Sequence, residues 1–271
     1  MIIDKKVGII GCGNMGEALF SGLSKVMEKS VSIMVSELDA ARRSAIQDKH
    51  KIIVEIDNNY LVKYSDVIIL AVKPQDLENV LRQEVCCGVS EKKLLISIAA
   101  GVTTKYIESV VGASVPVIRA MPNMPAVIGE AVTAISAGSR AAKKDMDLAR
   151  EIFSTIGDVV EVDEKLMDAV TAISGSGPAY FFYLIEALAG AAVKLGLDEK
   201  TAEELAIKTA IGSSELLDKL NEHPGLLRKK VTSKGGTTEA ALKVFDDKGL
   251  KKIIEDAAEA ACKRSKELSK G

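Results

Sequence analysis

Residues 6–16 read KVGIIGCGNMG, and this stretch decides the fold of the chain. A short apolar run of the buried-strand type leads into Gly11, Gly13 and Gly16, which have the spacing G-x-G-x-x-G. Residues 17–23 then place apolar side chains three and four positions apart, as a helix does. In the order strand, loop, helix, the first glycine turns tightly, the second admits a pyrophosphate and the third lets helix and strand pack closely. The stretch therefore predicts a dinucleotide-binding α/β unit.

The residues after the second predicted strand bear on the choice of dinucleotide. They lie about twenty residues beyond the glycine loop, where such folds contact the adenosine ribose. Glu37 or Asp39 suits a 2′-hydroxyl and repels a 2′-phosphate. Ser36 with Arg42 and Arg43 could receive that phosphate, although the two arginines are equally well explained as part of a solvated helix. The sequence leaves NADPH and NADH both open.

The first half of the chain continues as alternating strands and helices. Further strands are predicted at residues 31–35, 52–55, 66–72, 94–98, 115–120, 130–135 and 158–162, with an amphipathic helix at 139–156. Pro74 is predicted to hold the exit of one strand as an extended loop. Pro122 and Pro125 make a stiff loop that presents Asn123, which is equally explained as a turn residue. The alternation favours a Rossmann-type doubly wound sheet over residues 1–162.

From Glu164 onward the strand signal disappears, and residues 163–271 are predicted to form an all-helical domain. Residues 179–195 are apolar on nearly every face but carry Glu186 near their centre, and we expect this helix to be too short to cross a bilayer. An apolar helix in a soluble protein is buried, and a small domain can bury it against a second copy. We therefore expect a homodimer. His223 precedes two helix-stop residues and is predicted to end a helix.

A second glycine-rich stretch lies at residues 230–242, which read KVTSKGGTTEAAL. The glycine pair permits positive φ and close approach to a ligand, and the threonines stand where a helix N-terminus offers unpaired N–H groups. Such a loop can hold a small carboxylate. The commoner explanation is a glycine turn with a Ser/Thr N-cap before an amphipathic helix.

Composition excludes several functional classes. The formal net charge of −2 gives no electrostatic reason to expect nucleic acid or an anionic membrane as a partner. Four cysteines lack metal-ligand spacing, and together with the absence of a recognisable signal peptide they favour a cytoplasmic location. With two histidines, a histidine-rich metal site and a Ser-His-Asp hydrolase are both disfavoured.

Several motifs run through the chain in a fixed order. They are residues 10–16 (IGCGNMG), 71–74 (AVKP), 97–102 (SIAAGV), 119–123 (RAMPN), 174–180 (SGSGPAY), 223–225 (HPG) and 235–238 (GGTT). In this order they resemble the motifs of pyrroline-5-carboxylate reductases from end to end. The resemblance implies reduction of 1-pyrroline-5-carboxylate to L-proline, with NADPH usual and NADH possible. It also implies dimers built from the helical domain, often assembled into larger rings.

The same resemblance implies roles for individual positions. Residues expected to bind the cofactor are Gly11, Gly13, Asn14 and Met15 at the pyrophosphate, Ser36 at the adenosine ribose or its phosphate, and Asn58, Ala71, Val72, Lys73, Pro74, Ile98, Ala99 and Ala100 at the nicotinamide half. Residues expected near the substrate, partly across the dimer interface, are Glu164, Ser176, Ser233, Gly235, Gly236, Thr237 and Thr238. Lys230 and Lys234 stand where the family often has asparagine and proline, so the loop's conformation can differ in detail.

The expected chemistry is simple. An imine nitrogen can carry its own proton, so catalysis rests mainly on orientation. We expect Ser233 and the N–H groups of residues 235–238 to bind the substrate carboxylate and Thr238 to hydrogen-bond the ring nitrogen. A β-hydroxyacid dehydrogenase is disfavoured because residues 175–181 lack the lysine that such enzymes carry in their interdomain helix. A dinucleotide-binding regulator without catalysis is disfavoured by the resemblance of the second glycine loop.

Overall fold

The computed structural model describes residues 1–27, 32–112 and 114–268. The chain divides into two compact units. The first comprises Met1–Ser176 together with Ala261–Gly271, and the second comprises Gly177–Ala260. The domain boundary expected between residues 162 and 163 stays a prediction.

The first unit is built on one seven-stranded sheet, which confirms the predicted α/β fold. The strands are β1 Val7–Ile10, β2 Ile33–Ser36, β3 Val67–Leu70, β4 Leu94–Ser97, β5 Val117–Met121, β6 Ala131–Ala137 and β7 Gly157–Glu161. Their order in the sheet is β2-β1-β3-β4-β5-β6-β7. The strands β1 to β5 are parallel, β6 is antiparallel to β5, and β7 is parallel to β6. The carboxyl ends of β1 to β5 therefore share one edge, where such sheets bind ligands.

The helices follow the predicted pattern along the chain. They are α1 Asn14–Leu23, α2 Ala40–His50, α3 Asn58–Tyr64, α4 Pro74–Val80, α5 Thr104–Val111, α6 Lys143–Phe153, α7 Met167–Val170, α8 Gly177–Lys194, α9 Glu199–Leu220, α10 Pro224–Lys230, α11 Thr237–Asp247 and α12 Leu250–Leu268. Two π-helical turns, Leu81–Val85 and Thr171–Gly175, extend α4 and α7.

Alternate residues of the central strands face two separate apolar clusters. Ile9 of β1 lies in a cluster with Phe20 of α1 and Phe153 of α6. Its neighbour Ile10 lies in the other cluster with Leu61 of α3. Because successive side chains of a strand point to opposite faces, both faces of the sheet are covered by helices.

Three predicted elements differ from the structure. Residues 52–55 are not a strand: only Glu55 forms an isolated bridge, with Ser36, and Ile53 is 78% exposed. Val54 is nevertheless buried in the apolar cluster that contains Ile9, so the apolar signal of this segment reflects burial without regular strand pairing. The predicted strand 31–35 is observed from Ile33, and Val31 lies outside the described residues. The helix predicted at 139–156 is confined to Lys143–Phe153.

Proline and histidine positions account for two further corrections. Pro74 does not hold an extended loop but is the first residue of α4, because a proline lacks only an N–H that the first helical turn leaves unpaired. His223 does not end α9, which closes at Asn221 in the left-handed conformation. Instead it is the N-cap of α10, and its Nδ1 accepts a hydrogen bond from Gly225 N at 3.1 Å.

The second unit is all-helical, and α8 packs against α9 within it. The predicted burial of α8 is not achieved by the single chain, since Phe181, Phe182 and Tyr183 are 61%, 60% and 74% exposed. The expectation that residues 179–195 are too short to cross a bilayer stays a prediction. The longer helical stretch Glu164–Lys194 has 31 residues and is long and apolar enough to cross a membrane by length and composition alone.

Candidate functional site

The first glycine loop leaves an open space at the N-terminus of α1. Gly11 has φ +92°, and a Cβ there would lie 2.9 Å from the Ala71 carbonyl oxygen. A Cβ on Gly16 would lie 2.1 Å from the Gly11 carbonyl oxygen, whereas a Cβ on Gly13 would meet nothing within 4 Å. Gly13 is also the N-cap of α1 and offers no side chain to the helix N–H groups. The loop therefore has room and backbone donors for a pyrophosphate.

A cleft of about 350 Å³ opens beside this loop in the first unit. Among the predicted cofactor residues, its lining includes Gly11, Gly13, Ser36, Asn58, Ala71, Val72 and Lys73. The others lie outside the lining: Asn14 and Met15 begin α1, Pro74 begins α4, and Ile98, Ala99 and Ala100 follow β4. The structure thus brings about half of the predicted cofactor residues together in one cavity.

The cleft also has lining residues that sequence reasoning missed. These are Ile10, Leu38, Asp76 and Val80. Asp76 and Val80 are four residues apart on α4 and so lie on the same face of that helix. Reading Pro74 as a helix start would have placed both residues beside the strand exit.

Two buried polar residues form one wall of the cleft. Ser36 Oγ donates a hydrogen bond to Asn58 Oδ1, and Asn58 Nδ2 donates to Glu84 Oε2. Ser36 and Asn58 are 2% and 4% exposed. The Ser36 hydroxyl is therefore turned toward Asn58, and these residues support the wall as a hydrogen-bonded pair.

Charged residues tie the glycine loop to the elements behind it. Glu17 of α1 pairs with Arg42 of α2 and, at 2.8 Å and 2.9 Å, with Lys49 and His50. Burial by itself raises the pKa of the Glu17 carboxyl, but hydrogen bonds from Lys49 and His50 and the charges of Lys49 and Arg42 outweigh it and hold the pKa at about 2. Burial, with the charge of Glu17, raises the pKa of the Cys12 thiol to about 12. Glu17 is thus ionised and Cys12 is an inert thiol at neutral pH.

Glu164, predicted to lie near the substrate, has several partners within the first unit. Its carboxylate accepts hydrogen bonds from Thr104 N and Thr104 Oγ1, each at 2.7 Å. Arg119 Nη1 lies 3.7 Å from the same carboxylate. Burial lowers the pKa of the Arg119 guanidinium, an effect that the charge of Glu164 opposes. Glu164 therefore satisfies the first N–H of α5 and partners a buried cation.

The loop after β5 contacts the π-helical turn Thr171–Gly175. Asn123 is not presented to solvent as predicted: it is 9% exposed, its Oδ1 accepts from Val132 N at 3.0 Å, and its Nδ2 donates to Ser174 O at 3.3 Å. Ser176, the other predicted substrate residue of this unit, closes the turn by donating its N–H to Thr171 O at 2.8 Å. Single π-turns of this kind are frequent at functional sites.

The second glycine loop connects α10 to α11 in the second unit. Gly235 has φ +73°, which favours glycine. Gly236 is the N-cap of α11 without a side-chain cap, so Thr237 and Thr238 begin a helix whose first N–H groups no side chain covers. A Cβ on Gly236 would lie 2.5 Å from Ser233 Oγ, so a side chain there would displace the Ser233 hydroxyl. Ser233, Gly235 and Thr237 are exposed. The start of α11 thus keeps the N–H groups of Thr237 and Thr238 available to a carboxylate.

Family models match both parts of the chain. A model described as pyrroline-5-carboxylate reductase dimerisation matches residues 164–268. A model described as NADP oxidoreductase, coenzyme F420-dependent, matches residues 6–101.

Individual proteins are similar over nearly the whole length. A curated pyrroline-5-carboxylate reductase of Synechocystis is 43% identical, with 98% of each chain covered. One from Methanosarcina acetivorans is 41% identical and covers 98% of this chain and 99% of its own. A crystal structure of a Plasmodium falciparum pyrroline carboxylate reductase with NADP bound has a TM-score of 0.88 at 30% identity, covering 98% of this chain and 99% of that one.

Proposed function

The chain belongs to the pyrroline-5-carboxylate reductase family, and from that premise we propose how its residues divide the reaction. It reduces 1-pyrroline-5-carboxylate to L-proline, the final step of proline biosynthesis. NADPH is the cofactor, with NADH as an alternative. The observation that carries this function is the similarity to named reductases over the nucleotide-binding and helical regions together.

The residues of the first glycine loop fit the dinucleotide. The open space at Gly13 and the uncapped N-terminus of α1 would receive the pyrophosphate, with Asn14 and Met15 supplying N–H groups. Ala71, Val72 and Lys73 would line the nicotinamide half, with Pro74 and Ile98, Ala99 and Ala100 behind them. When bound, the reduced nicotinamide supplies the hydride that adds to the carbon of the C=N bond.

The second glycine loop would hold the substrate. Ser233 and the N–H groups of Thr237 and Thr238 bind the carboxylate, because the helix start directs unpaired donors and a positive dipole end at it. The N–H of Gly236 instead donates to Ser233 O at 3.0 Å and holds the turn. The Thr238 hydroxyl hydrogen-bonds the ring nitrogen and orients the imine. In the first unit, Glu164 and Ser176 hold the backbone of Thr104 and Thr171 through their hydrogen bonds. These groups catalyse mainly by positioning, which fits a reaction that needs no strong general acid.

Self-association follows from the helical region. The exposed apolar side chains of α8 and the dimerisation match support a homodimer, and a ring of such dimers would use a second surface outside that contact. Pairing of α8 with a second copy explains its apolar character without a membrane.

A cytoplasmic location fits four free cysteines. The near-neutral charge supports the absence of a nucleic-acid partner, and the start of the dimerisation match at residue 164 supports a domain boundary at 162/163.

Turnover tests this function directly. The loss of reduced-nicotinamide absorbance should depend on added 1-pyrroline-5-carboxylate, with L-proline formed in equal amount. Oxidation of the cofactor without that substrate would point to a side reaction. Cofactor binding without turnover would favour a non-catalytic dinucleotide-binding protein instead.

A further inference from the structure

We infer that Glu37 is a specificity-determining residue, which disfavours the 2′-phosphate of NADPH so that NADH binds at least as tightly. The inference rests on the proposed function, since it concerns the cofactor of the same reaction. It depends on where the Glu37 carboxylate is held and on what the neighbouring cations contact.

Glu37 follows β2 directly and lines the cofactor cleft. Its Oε2 accepts a hydrogen bond from Cys12 N at 3.0 Å, and its Oε1 accepts one from Asp39 N at 3.0 Å. Both are charge-assisted bonds to backbone, which are stronger than bonds between neutral groups. The carboxylate is therefore held between the glycine loop and the start of α2, and moving it aside would break two bonds.

The two arginines that could receive a 2′-phosphate are turned to other partners. Arg42 donates from Nε to Cys12 O at 2.9 Å and pairs through Nη2 with Glu17. Arg43 donates from Nη1 to the carbonyl oxygens of Glu37 at 2.9 Å and Leu38 at 3.2 Å. A phosphate would have to compete with these bonds, one of which is to the carboxylate of Glu17.

The acidic residues that line the cleft also disfavour a 2′-phosphate. Among the described residues that line it, Glu37, Asp39 and Asp76 are acidic and Lys73 is basic. A phosphate monoester carries about −1.5 to −2 charges at neutral pH, so the 2′-phosphate enters a region of like charge. A ribose 2′-hydroxyl can instead donate a hydrogen bond to a carboxylate at the end of the second strand. Glu37 is the acidic residue closest in sequence to that strand end.

Binding titrations distinguish an effect of Glu37 on cofactor specificity from an effect on the structure of the first glycine loop. The increase in nicotinamide fluorescence gives Kd for NADH and NADPH without substrate, and the chain has no tryptophan to add background. For the natural chain we expect Kd for NADPH to equal or exceed that for NADH. Glu37→Gln keeps an acceptor but removes the charge, and should shift the ratio at least about fivefold toward NADPH. Asp48→Asn, at an exposed position of α2, makes the same charge change outside the cleft and should leave the ratio unchanged.

Three results would overturn the inference. They are tenfold tighter binding of NADPH by the natural chain, an equal loss of both affinities in Glu37→Gln, and an equal shift in Asp48→Asn. If Glu37→Gln does not fold, the salt dependence of cofactor binding to the natural chain still tests the inference. Salt screens the repulsion between the Glu37 carboxylate and the 2′-phosphate. The affinity for NADPH relative to NADH should rise with salt, and a fall would show that cations dominate. Turnover with 1-pyrroline-5-carboxylate is measured separately, so a failed proposed function does not alter these binding ratios.

Discussion

Glu239 Oε2 lies 2.7 Å from the backbone nitrogen of Gly235, so a carboxylate of the chain itself accepts one N–H of the second glycine loop. Sequence reasoning assigned that N–H to the substrate carboxylate. With Gly235 already paired, the donors at the start of α11 are left to bind substrate, and Glu239 holds the loop in shape as capping side chains do.

Glu239→Ala should raise KM for 1-pyrroline-5-carboxylate by about three- to tenfold, because losing a capping contact costs roughly 0.5–2 kcal/mol. Asp247→Ala is the matched control, since it removes a carboxylate at the other end of α11 that pairs with Lys243. Steady-state kinetics at saturating cofactor measures both. An unchanged or lower KM for Glu239→Ala would mean that the bond to Gly235 does not order the loop.

Thr238→Ala should lower kcat/KM by about ten- to a hundredfold, since the variant loses the hydroxyl assigned to the ring nitrogen. Thr238→Ser keeps the hydroxyl and should recover most of the activity. Thr232→Ala is the control, because the Thr232 hydroxyl already donates to Arg228 O of α10 at 2.6 Å. Equal activity of the alanine and serine variants at position 238 would remove Thr238 from the mechanism.

Glycine-to-alanine changes in the first loop should separate binding from folding. Gly13→Ala has open space around the new methyl and should unfold in urea like the natural chain, yet bind reduced nicotinamide cofactor more than about tenfold more weakly. Gly16→Ala places a Cβ 2.1 Å from Gly11 O and should destabilise the fold by about 1–3 kcal/mol. Unchanged cofactor affinity in Gly13→Ala would place the pyrophosphate elsewhere.

Glu17 should make stability depend on pH in the acid range. Its folded pKa of about 2 lies below the ordinary value of 4.5, so its contribution is complete above about 4.5 and is lost as pH falls toward about 2. Glu17→Gln should cost on the order of 1–3 kcal/mol in urea unfolding near pH 6, and this difference should shrink near pH 3. Asp147→Asn breaks an exposed pair with Lys143 and should show neither effect. If the difference in unfolding free energy between the natural chain and Glu17→Gln grew on acidification, it would contradict a lowered pKa of Glu17 in the folded state.

The exposed side chains of α8 should form the dimer contact. Phe182→Glu puts a charge where a second copy would bury an apolar ring, and the variant should sediment as a monomer with reduced turnover. Ile53→Glu makes the same kind of change at a position 78% exposed in the first unit and should leave the oligomer intact. A Phe182→Glu variant that remains dimeric would move the interface to another surface.

Much of the site could be predicted because its signals are local. Gly11, Gly13 and Gly16 mark a turn, an open space and a close contact by spacing alone, and the structure shows all three. The sequence-based predictions were wrong where one residue type is common in two different structural settings. Pro74 and Pro224 each begin a helix, although proline also ends helices, and Asn123 braces two distant backbone groups although asparagine also suits an exposed turn.

The sequence by itself determined the α/β class, the nucleotide loop and the helical second half, because glycine spacing and apolar periodicity act over a few neighbouring residues. Only the tertiary structure decided which polar groups remain available to a ligand. Cys12 with Glu37, Ser36 with Asn58, and Glu164 with Thr104 are pairs separated by 22 to 60 positions. Whether a carboxylate or hydroxyl is already bonded depends on how distant segments pack, and local sequence carries no record of that packing.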